Sequence, residues 1–322
     1  MSGFLKVAGE VRSLAWDGDE LVDALAGGRR WTLDGTEFPA GIRWGSLFDR
    51  ATSHGEYSVL YAAYGTKALL VKGDELIREL DRSYYNAEVY EYPVALGTLP
   101  DGRDVLVHCP DEYNLLEVEE VESGRRITVG ERAPEDVFHS QLRVSPDGRR
   151  VLSVGWVWHP VGVAQVFELP GPLDGDGVLP LALAHDADIV AGCWLDADRV
   201  VVAAGEDLGG AEDDAAVLGP RQFGVWSYAE SAWVHRHRTE YVLGWVLGQG
   251  NCLVSLSGHP RVLSVRTGEL LAEWPDIPLP ERVASYGFDV EPAPVAALDP
   301  TGKRLAIAVD GGIRVLEIPD SA

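Results

Sequence analysis

A four-residue turn, Ser145-Pro146-Asp147-Gly148, is the feature that most constrains how this chain can fold. It joins two apolar segments. Proline fixes φ at the second position of a β-turn, and glycine supplies a positive φ at little steric cost. The two apolar segments are therefore expected to fold back on each other as a β-hairpin. Related turns recur at residues 16–22, 64–70, 99–105, 195–201, 247–253 and 298–305.

The first apolar residue after each turn gives the period of this repeat. These residues are Leu21, Leu69, Val105, Val151, Val200, Leu253 and Leu305. They are roughly 36 to 53 residues apart, which matches the length of a four-stranded blade in a β-propeller. No segment of useful length shows helical periodicity. The sequence therefore predicts an all-β fold, a single seven-bladed β-propeller that occupies residues 1–322.

The strand count also predicts how the ring closes. The blades are expected at approximately residues 11–40, 57–92, 93–130, 137–184, 188–238, 241–275 and 294–318. The last of these is one strand short, and the apolar strand at residues 3–8 has no partner nearby in the sequence. We expect this N-terminal strand to become the outermost strand of the last blade, because closure removes an exposed strand edge.

Two of the turns, Pro146-Asp147-Gly148 and Pro300-Thr301-Gly302, resemble those of the WD40-like superfamily of β-propellers. In that family a Ser-Pro-Asp-Gly-type turn joins the first and second strands of each repeat. The Trp-Asp dipeptide that names the family is absent from the third strands of this chain, and Trp226-Ser227 is the nearest match. The resemblance covers nearly the whole chain. It implies a propeller and, for function, a scaffold that binds other proteins.

The charge balance narrows the choice of partners. The chain has 51 Asp and Glu residues against 27 Lys and Arg residues, a formal net charge of -24. A protein that binds nucleic acid has to neutralise phosphates with basic side chains. We therefore expect no nucleic-acid partner and, for the same reason, no attachment to an anionic membrane surface.

The cysteines and the N-terminal segment bear on the compartment. Cys109, Cys193 and Cys252 are odd in number, far apart, and placed in or beside apolar strands, which indicates buried free thiols in a reducing environment. The start of the chain has no basic region followed by a long apolar run, and no segment approaches the length of a membrane span. Lysine is scarce beside arginine, a bias typical of GC-rich bacterial genes. We expect a bacterial, cytoplasmic protein, and a monomer.

Histidines recur at positions that a propeller should bring to one end of the ring. In this fold, the loop between the second and third strands of a blade opens on the same face as the crossing between blades. Three histidines map to that loop, namely His108, His159 and His259, and three precede predicted innermost strands, namely His54, His139 and His185. Neutral imidazole can bind a metal or transfer protons. The first three are therefore candidate catalytic or metal-binding residues.

The same histidines also have a purely structural interpretation. A proline that follows a histidine ends a strand, because it cannot continue the pairing, and blade duplication would repeat that pattern. No dense ligand motif such as His-Glu-x-x-His is present. A divalent-metal site would therefore require histidines from separate blades to converge on one point.

Aromatic residues mark the best candidate for a partner-binding surface. Tyr84, Tyr85, Tyr90 and Tyr92 form a cluster at a crossing between blades, and Trp158 precedes His159. Tyrosine and tryptophan are favoured where a large side chain has to be partly wet, as at interfaces. The alternative is that these rings pack against the neighbouring blade. The candidate partner-binding set comprises these five residues with His54, His139 and His185.

No Gly-x-Ser-x-Gly elbow, phosphate-binding glycine loop or dinucleotide fingerprint is present. The leading hypothesis is therefore a non-catalytic protein-interaction scaffold without a cofactor. The alternative is a propeller hydrolase or lyase with a histidine-lined, possibly metal-binding channel mouth, and a third hypothesis is a small-molecule sensor. An acidic insertion at 205–220 does not follow the spacing of a calcium loop, and its role stays open.

Overall fold

The hairpins expected from the repeated turns assemble into seven antiparallel sheets. The computed structural model describes residues 3–44, 47–128, 132–158, 161–173, 178–179, 188–206, 218–280 and 293–320. The prediction of an all-β, seven-bladed propeller is confirmed. Within the described residues the only helix is one 3-10 turn, Ala87–Val89.

Blades one to three follow one another along the chain. Blade one contains β2 (Ala15–Asp17), β3 (Glu20–Asp23), β4 (Arg29–Thr32) and β5 (Glu37–Phe38). Blade two contains β6 (Arg50–His54), β7 (Tyr57–Tyr61), β8 (Lys67–Lys72) and β9 (Glu75–Asp81). Blade three contains β10 (Val94–Thr98), β11 (Asp104–His108) and β12 (Glu117–Glu120).

Blades four to seven complete the ring. Blade four contains β13 (Val137–Phe138) and β14 (Arg143–Val144), which both pair with β15 (Arg150–Val157), then β16 (Val161–Glu168) and β17 (Val178–Leu179). Blade five contains β18 (Ile189–Trp194), β19 (Arg199–Ala204), β20 (Gln222–Ser227) and β21 (Ala232–Arg238). Blade six contains β22 (Val246–Gln249), β23 (Cys252–Ser257), β24 (His259–Ser264) and β25 (Leu270–Glu273). Blade seven contains β26 (Ala296–Leu298), β27 (Arg304–Val309), β28 (Gly312–Glu317) and β1 (Gly3–Lys6).

The N-terminal strand closes the ring as predicted. Strand β1 pairs with β28 from Gly3 opposite Val315 to Lys6 opposite Gly312, and it is the outermost strand of blade seven. On the inner side, the indole Nε1 of Trp16 in blade one donates a hydrogen bond of 3.0 Å to the carbonyl of Ala297 in blade seven. Closure therefore joins the two ends of the chain at both the rim and the centre.

Apolar packing between neighbouring blades forms the core. The buried apolar residues fall into seven clusters, and each cluster combines residues of two adjacent blades. Strand β19 shows the pattern. Val200 and Val202 pack towards blade four, and Val201 and Ala203 pack towards blade six. Because both faces of the strand are buried, its sequence is a continuous apolar run rather than an alternating one.

Blade two begins one strand earlier than the sequence suggested. Its innermost strand is β6, which starts at Arg50 and lies beside β10, whereas the repeat pattern placed the first strand at Tyr57. The turn at residues 64–70 consequently joins the second and third strands rather than the first and second. The polar run of β6 (Arg-Ala-Thr-Ser-His) concealed this strand, because it lacks the apolar pattern of the other strands.

The repeated turns also connect neighbouring blades. Arginines at one repeat position, the residue before the first buried residue of the second strand, reach the turn of the next blade. Arg150 donates to the carbonyl of Ala197, Arg199 donates to the carbonyl of Gly250, and Arg304 pairs with Asp19 at 2.8 Å. The turns that join first and second strands therefore lie on one end of the ring, and the 64–70 turn of blade two lies on the other.

Gly148 shows why the turn needs glycine. Its amide donates to the carbonyl of Ser145 at 2.9 Å, and its φ of +68° is in the left-handed region. A Cβ at this position would lie 1.8 Å from the carbonyl oxygen of Thr98 in blade three. Glycine is therefore required both for the turn and for the contact between blades.

We predict that Gly148→Ala lowers the free energy of unfolding by about 3 kcal/mol. The cost of holding alanine in the left-handed conformation adds to the cost of the steric clash. Gly102→Ala is the matched control. Gly102 occupies the same turn position in blade three with φ +86° and has no atom within 4 Å of its Cβ direction. It should cost only about 1 kcal/mol. Equal losses in chemical denaturation of the two variants would show that the inter-blade contact contributes nothing.

The three cysteines are buried and free, as expected. Burial raises the pKa of Cys193 and of Cys252 to about 12, and it also raises the pKa of Cys109. We predict that a disulfide reagent titrates no thiol in the native protein and three after denaturation, because only an accessible thiolate reacts. Rapid modification of the native protein would contradict this placement.

Candidate functional site

The two ends of the ring differ in what they carry. We call the end with the turns between first and second strands the turn face, and strand β10 reaches it at Thr98, which pairs with Asp104. We call the opposite end the crossing face, and β10 begins there at Val94, which pairs with His108. The crossing face contains the loops between second and third strands and the crossings between blades. It is the end at which the sequence predicted a functional site.

The described candidate histidines do not gather at one mouth. His108 is at the crossing face, but its Nε2 lies 3.3 Å from Glu119 in the buried interface between blades two and three. His259 donates from Nε2 to the carboxylate of Glu273 at 3.0 Å, within the outer part of blade six. His159 and His185 lie outside the described residues.

His54 lies on the turn face, whereas the sequence predicted it on the crossing face. Its Nε2 lies 2.8 Å from the hydroxyl of Thr98 on the turn face. The sequence placed it on the crossing face because blade two was assigned one strand late. Consecutive strands run in opposite directions, so assigning blade two one strand late placed its residues at the opposite end of the ring.

Glu119 explains why His108 is in this interface. The carboxylate is buried and accepts a hydrogen bond of 2.6 Å from Arg78 of blade two, with His108 on the same oxygen. Although burial itself opposes ionisation, the bonds from His108 and Arg78 prevail and lower the pKa of Glu119 to about 2. His108 is therefore packed beside a buried ion pair, Arg78 with Glu119, that joins two blades.

His139 is also buried rather than available to a partner. It follows β13, and its Nδ1 lies 2.9 Å from the hydroxyl of Ser153. Burial lowers the pKa of His139 to about 4, so the ring is neutral near pH 7.

We predict that stability falls as the pH decreases from about 6.5 to about 4. In this window the unfolded chain binds a proton on His139 that the native protein excludes, which costs up to about 1.4 kcal/mol for each pH unit. His139→Gln should reduce this pH dependence in denaturant titrations. His54→Gln, which alters an exposed ring, should leave it unchanged. An unaltered slope in the His139 variant would refute the assignment.

Several aromatic rings meet around Phe138 on the crossing face. Phe138 is fully buried, and its ring contacts Tyr113 at 4.6 Å, Trp156 at 4.1 Å, Trp158 at 5.4 Å and Tyr85 at 6.0 Å between centroids. We call Tyr85, Tyr113, Trp156 and Trp158 with Phe138 the aromatic surface. Tyr85 is 48% exposed and Trp158 46% exposed, so two rings reach solvent from a buried base.

Gly155 leaves the space in which Phe138 and Trp156 stack. Strand β13 lies against β15, and a Cβ at Gly155 would lie 2.1 Å from the carbonyl oxygen of Phe138. The strand can therefore approach closely enough for Phe138 and Trp156 to stack. Tyr113 is also held in place, because its hydroxyl bonds to Asp136. Burial and this carboxylate raise the pKa of Tyr113 to about 12.

The four predicted tyrosines divide into two pairs. Tyr84 is 78% exposed, and Tyr85 belongs to the aromatic surface, but Tyr90 and Tyr92 are buried. The latter two pack against the guanidinium of Arg82, at 4.3 Å and 5.0 Å from the ring centroids. Both rings are therefore buried rather than part of the exposed aromatic surface that the sequence predicted. Sequence reasoning missed Phe138, Tyr113 and Arg82, since they come from separate segments.

A polar cavity of about 220 Å³ lies at the centre of the crossing face. It is lined by residues at or just before the first residues of innermost strands. Its charged residues are Arg12, Arg50, Arg143 and Glu91. Neither His108 nor His259 lines it. Each of the three arginines precedes or begins an innermost strand of its own blade. That shared position is the sequence pattern by which they could have been found.

The described residues contain neither a metal-binding cluster nor a membrane-spanning helix. No group of three or more His, Cys, Asp and Glu side chains suited to a metal ion occurs within the residues that the structure describes. Over the same ranges no helix has the length and apolar character needed to cross a membrane. The acidic insertion falls largely at residues 207–217, outside the described part of the chain.

Comparison with known proteins supports the fold alone. No protein-family model matches the chain, and no curated protein matches it. Among solved structures, a chain of the mitotic checkpoint complex is 14% identical, with a TM-score of 0.61 over 98% of this chain and 94% of that one. The computationally designed Ika8 protein is also 14% identical, with a TM-score of 0.56 over 98% of both chains. At this level of identity the similarity is one of architecture.

Proposed function

We propose that this protein is a non-catalytic interaction scaffold that binds a basic protein segment on the aromatic surface. The observation that carries the proposal is the exposure of Tyr85 and Trp158 on a fully buried Phe138. Rings held from below lose little conformational freedom on binding, and tyrosine and tryptophan dominate the energy of many interfaces. The propeller fold is compatible with such a role, and one solved structure of similar architecture belongs to a protein complex.

The charges around the aromatic surface favour a basic partner. The exposed acids Glu88, Glu112, Glu135 and Asp136 flank its rings in the sequence. The net charge of the whole chain, -24, acts in the same direction over longer distances. A guanidinium or ammonium group could therefore contact a ring face and a carboxylate together. We expect the partner to present arginine or lysine beside apolar side chains.

The enzyme alternative has less support. It requires His108, His159 and His259 to act on one small ligand, but the two described members pair with carboxylates of blades three and six. Neither lines the central cavity.

We predict that Tyr85→Ala and Trp158→Ala each weaken partner binding about tenfold or more, as expected for exposed interface aromatics. Phe38→Ala is the matched control, because Phe38 is an exposed ring in blade one. Partners would first be identified by comparing affinity purifications of these variants. The purified partner would then be titrated against each variant at two salt concentrations.

A partner that is lost from both aromatic-surface variants, retained by the control and weakened by salt would support the proposal. Binding that survives both substitutions, or that has no salt dependence, would contradict it.

A further inference from the structure

The central cavity concentrates positive charge in a strongly acidic protein. Arg12 of blade one, Arg50 of blade two and Arg143 of blade four line it, and among the described residues Glu91 is the only carboxylate in its lining. These groups give the cavity a formal charge of two positive, whereas the chain as a whole carries -24. The local sign of the charge is therefore opposite to that of the whole molecule.

Carboxylates among the described residues compensate these three arginines only weakly. Among the described residues, no carboxylate lies within salt-bridge distance of Arg12 or Arg143. Arg50 Nε is 3.9 Å from Glu91, at the limit of an ion pair. By contrast, Arg304 contacts two carboxylates at 2.8 Å. Since like charges in a partly dry site repel, this arrangement is costly unless an anion compensates it.

Individual donors are also left without acceptors. The Nε atoms of Arg50 and Arg143 are buried and have no hydrogen-bond partner among the described residues. Arg12 uses one nitrogen to donate to the carbonyl of Phe48, which leaves its remaining donors for another acceptor. Buried donors in native proteins are nearly always paired, and an anion bound in the cavity would supply an acceptor for these two.

Backbone strain marks the same place. Gln141 lines the cavity with φ of +45°, in a region that residues other than glycine rarely adopt. Its Nε2 donates to the carbonyl of Val190 at 3.4 Å. Strained residues of this kind cluster at ligand-binding sites, where they hold a side chain in position. This observation is independent of the arginines.

We propose that the cavity binds a small oxyanion with at least two negative charges, recognised by Arg12, Arg50 and Arg143. The planar guanidinium group matches carboxylate and phosphate oxygens, often with two parallel hydrogen bonds. A volume of about 220 Å³ is below the range of drug-sized pockets. The ligand is therefore of the size of citrate or pyrophosphate.

The test uses purified full-length protein with sodium phosphate, pyrophosphate and citrate as separate probes, each against sodium chloride of equal ionic strength. Calorimetry gives the affinity, and the melting temperature should rise with ligand concentration, because a ligand that binds only the native state stabilises it. Trp245 lines the cavity, so a fluorescence change that is lost in Trp245→Phe reports occupancy of this site. The three probes separate phosphate recognition from carboxylate recognition.

Arg143→Met and Arg50→Met should each weaken binding of the effective probe about ten- to a hundredfold, the loss expected for hydrogen bonds to a charged group. Arg149→Met is the matched control, because this arginine is exposed on the turn face. Without ligand, Arg143→Met should melt no lower than the wild type, since it removes a cation that has no carboxylate partner. If it does not fold, Arg12→Met provides the same test from blade one.

The proposal is overturned if none of the three probes binds more tightly than chloride at millimolar concentration. It is also overturned if an arginine variant that folds keeps full affinity, or if Arg149→Met weakens binding as much as the cavity variants do. These outcomes are independent of the aromatic surface, whose variants should bind the oxyanion normally.

Discussion

Burial of both faces of each sheet against its neighbours is the constraint on which this structure depends. A blade taken alone would expose two apolar faces, because residues such as Val200 and Val201 point in opposite directions from one strand. Only a ring in which every blade has two neighbours covers all of them. The pairing of β1 with β28 is thus a condition of stability, since it joins the last blade to the first.

The turn face and the crossing face carry different kinds of groups. On the turn face, polar groups connect one blade to the next, as Arg150, Arg199 and Arg304 do. Gly148 completes that contact by allowing the backbones to approach. On the crossing face, the chain between blades is longer and irregular, and it carries the aromatic surface and the polar cavity. Loops on a rigid scaffold are where binding residues are commonly found.

The sign of the charge differs between the exterior of the protein and the central cavity. The acidic exterior keeps the protein highly charged, while the cavity holds three guanidinium groups beside Glu91. Between blades, buried charges are paired, as Arg78 is with Glu119 at 2.6 Å. In the cavity, Arg50 is 3.9 Å from Glu91, and Arg12 and Arg143 have no carboxylate partner among the described residues. This contrast is the basis of the proposed oxyanion site.

Much of the architecture could be predicted because its determinants are local. The Ser-Pro-Asp-Gly turn dictates its own hairpin, and its recurrence sets the number of blades. The missing strand of the last blade predicted that the N-terminal strand closes the ring. Blade two was the exception, because the polar residues of β6 do not show the apolar pattern on which the strand assignment relied.

The sequence by itself therefore determined the all-β class, the seven blades and their closure, since turn chemistry and apolar spacing act between residues that are close in the chain. Only the tertiary structure decided which side chains meet. It separated His108 from His259, buried Tyr90 and Tyr92, and brought Arg12, Arg50 and Arg143 together from three blades. The physical reason is that contacts between blades depend on strand register and side-chain direction, and a shift of one strand moves a residue such as His54 to the opposite end of the ring.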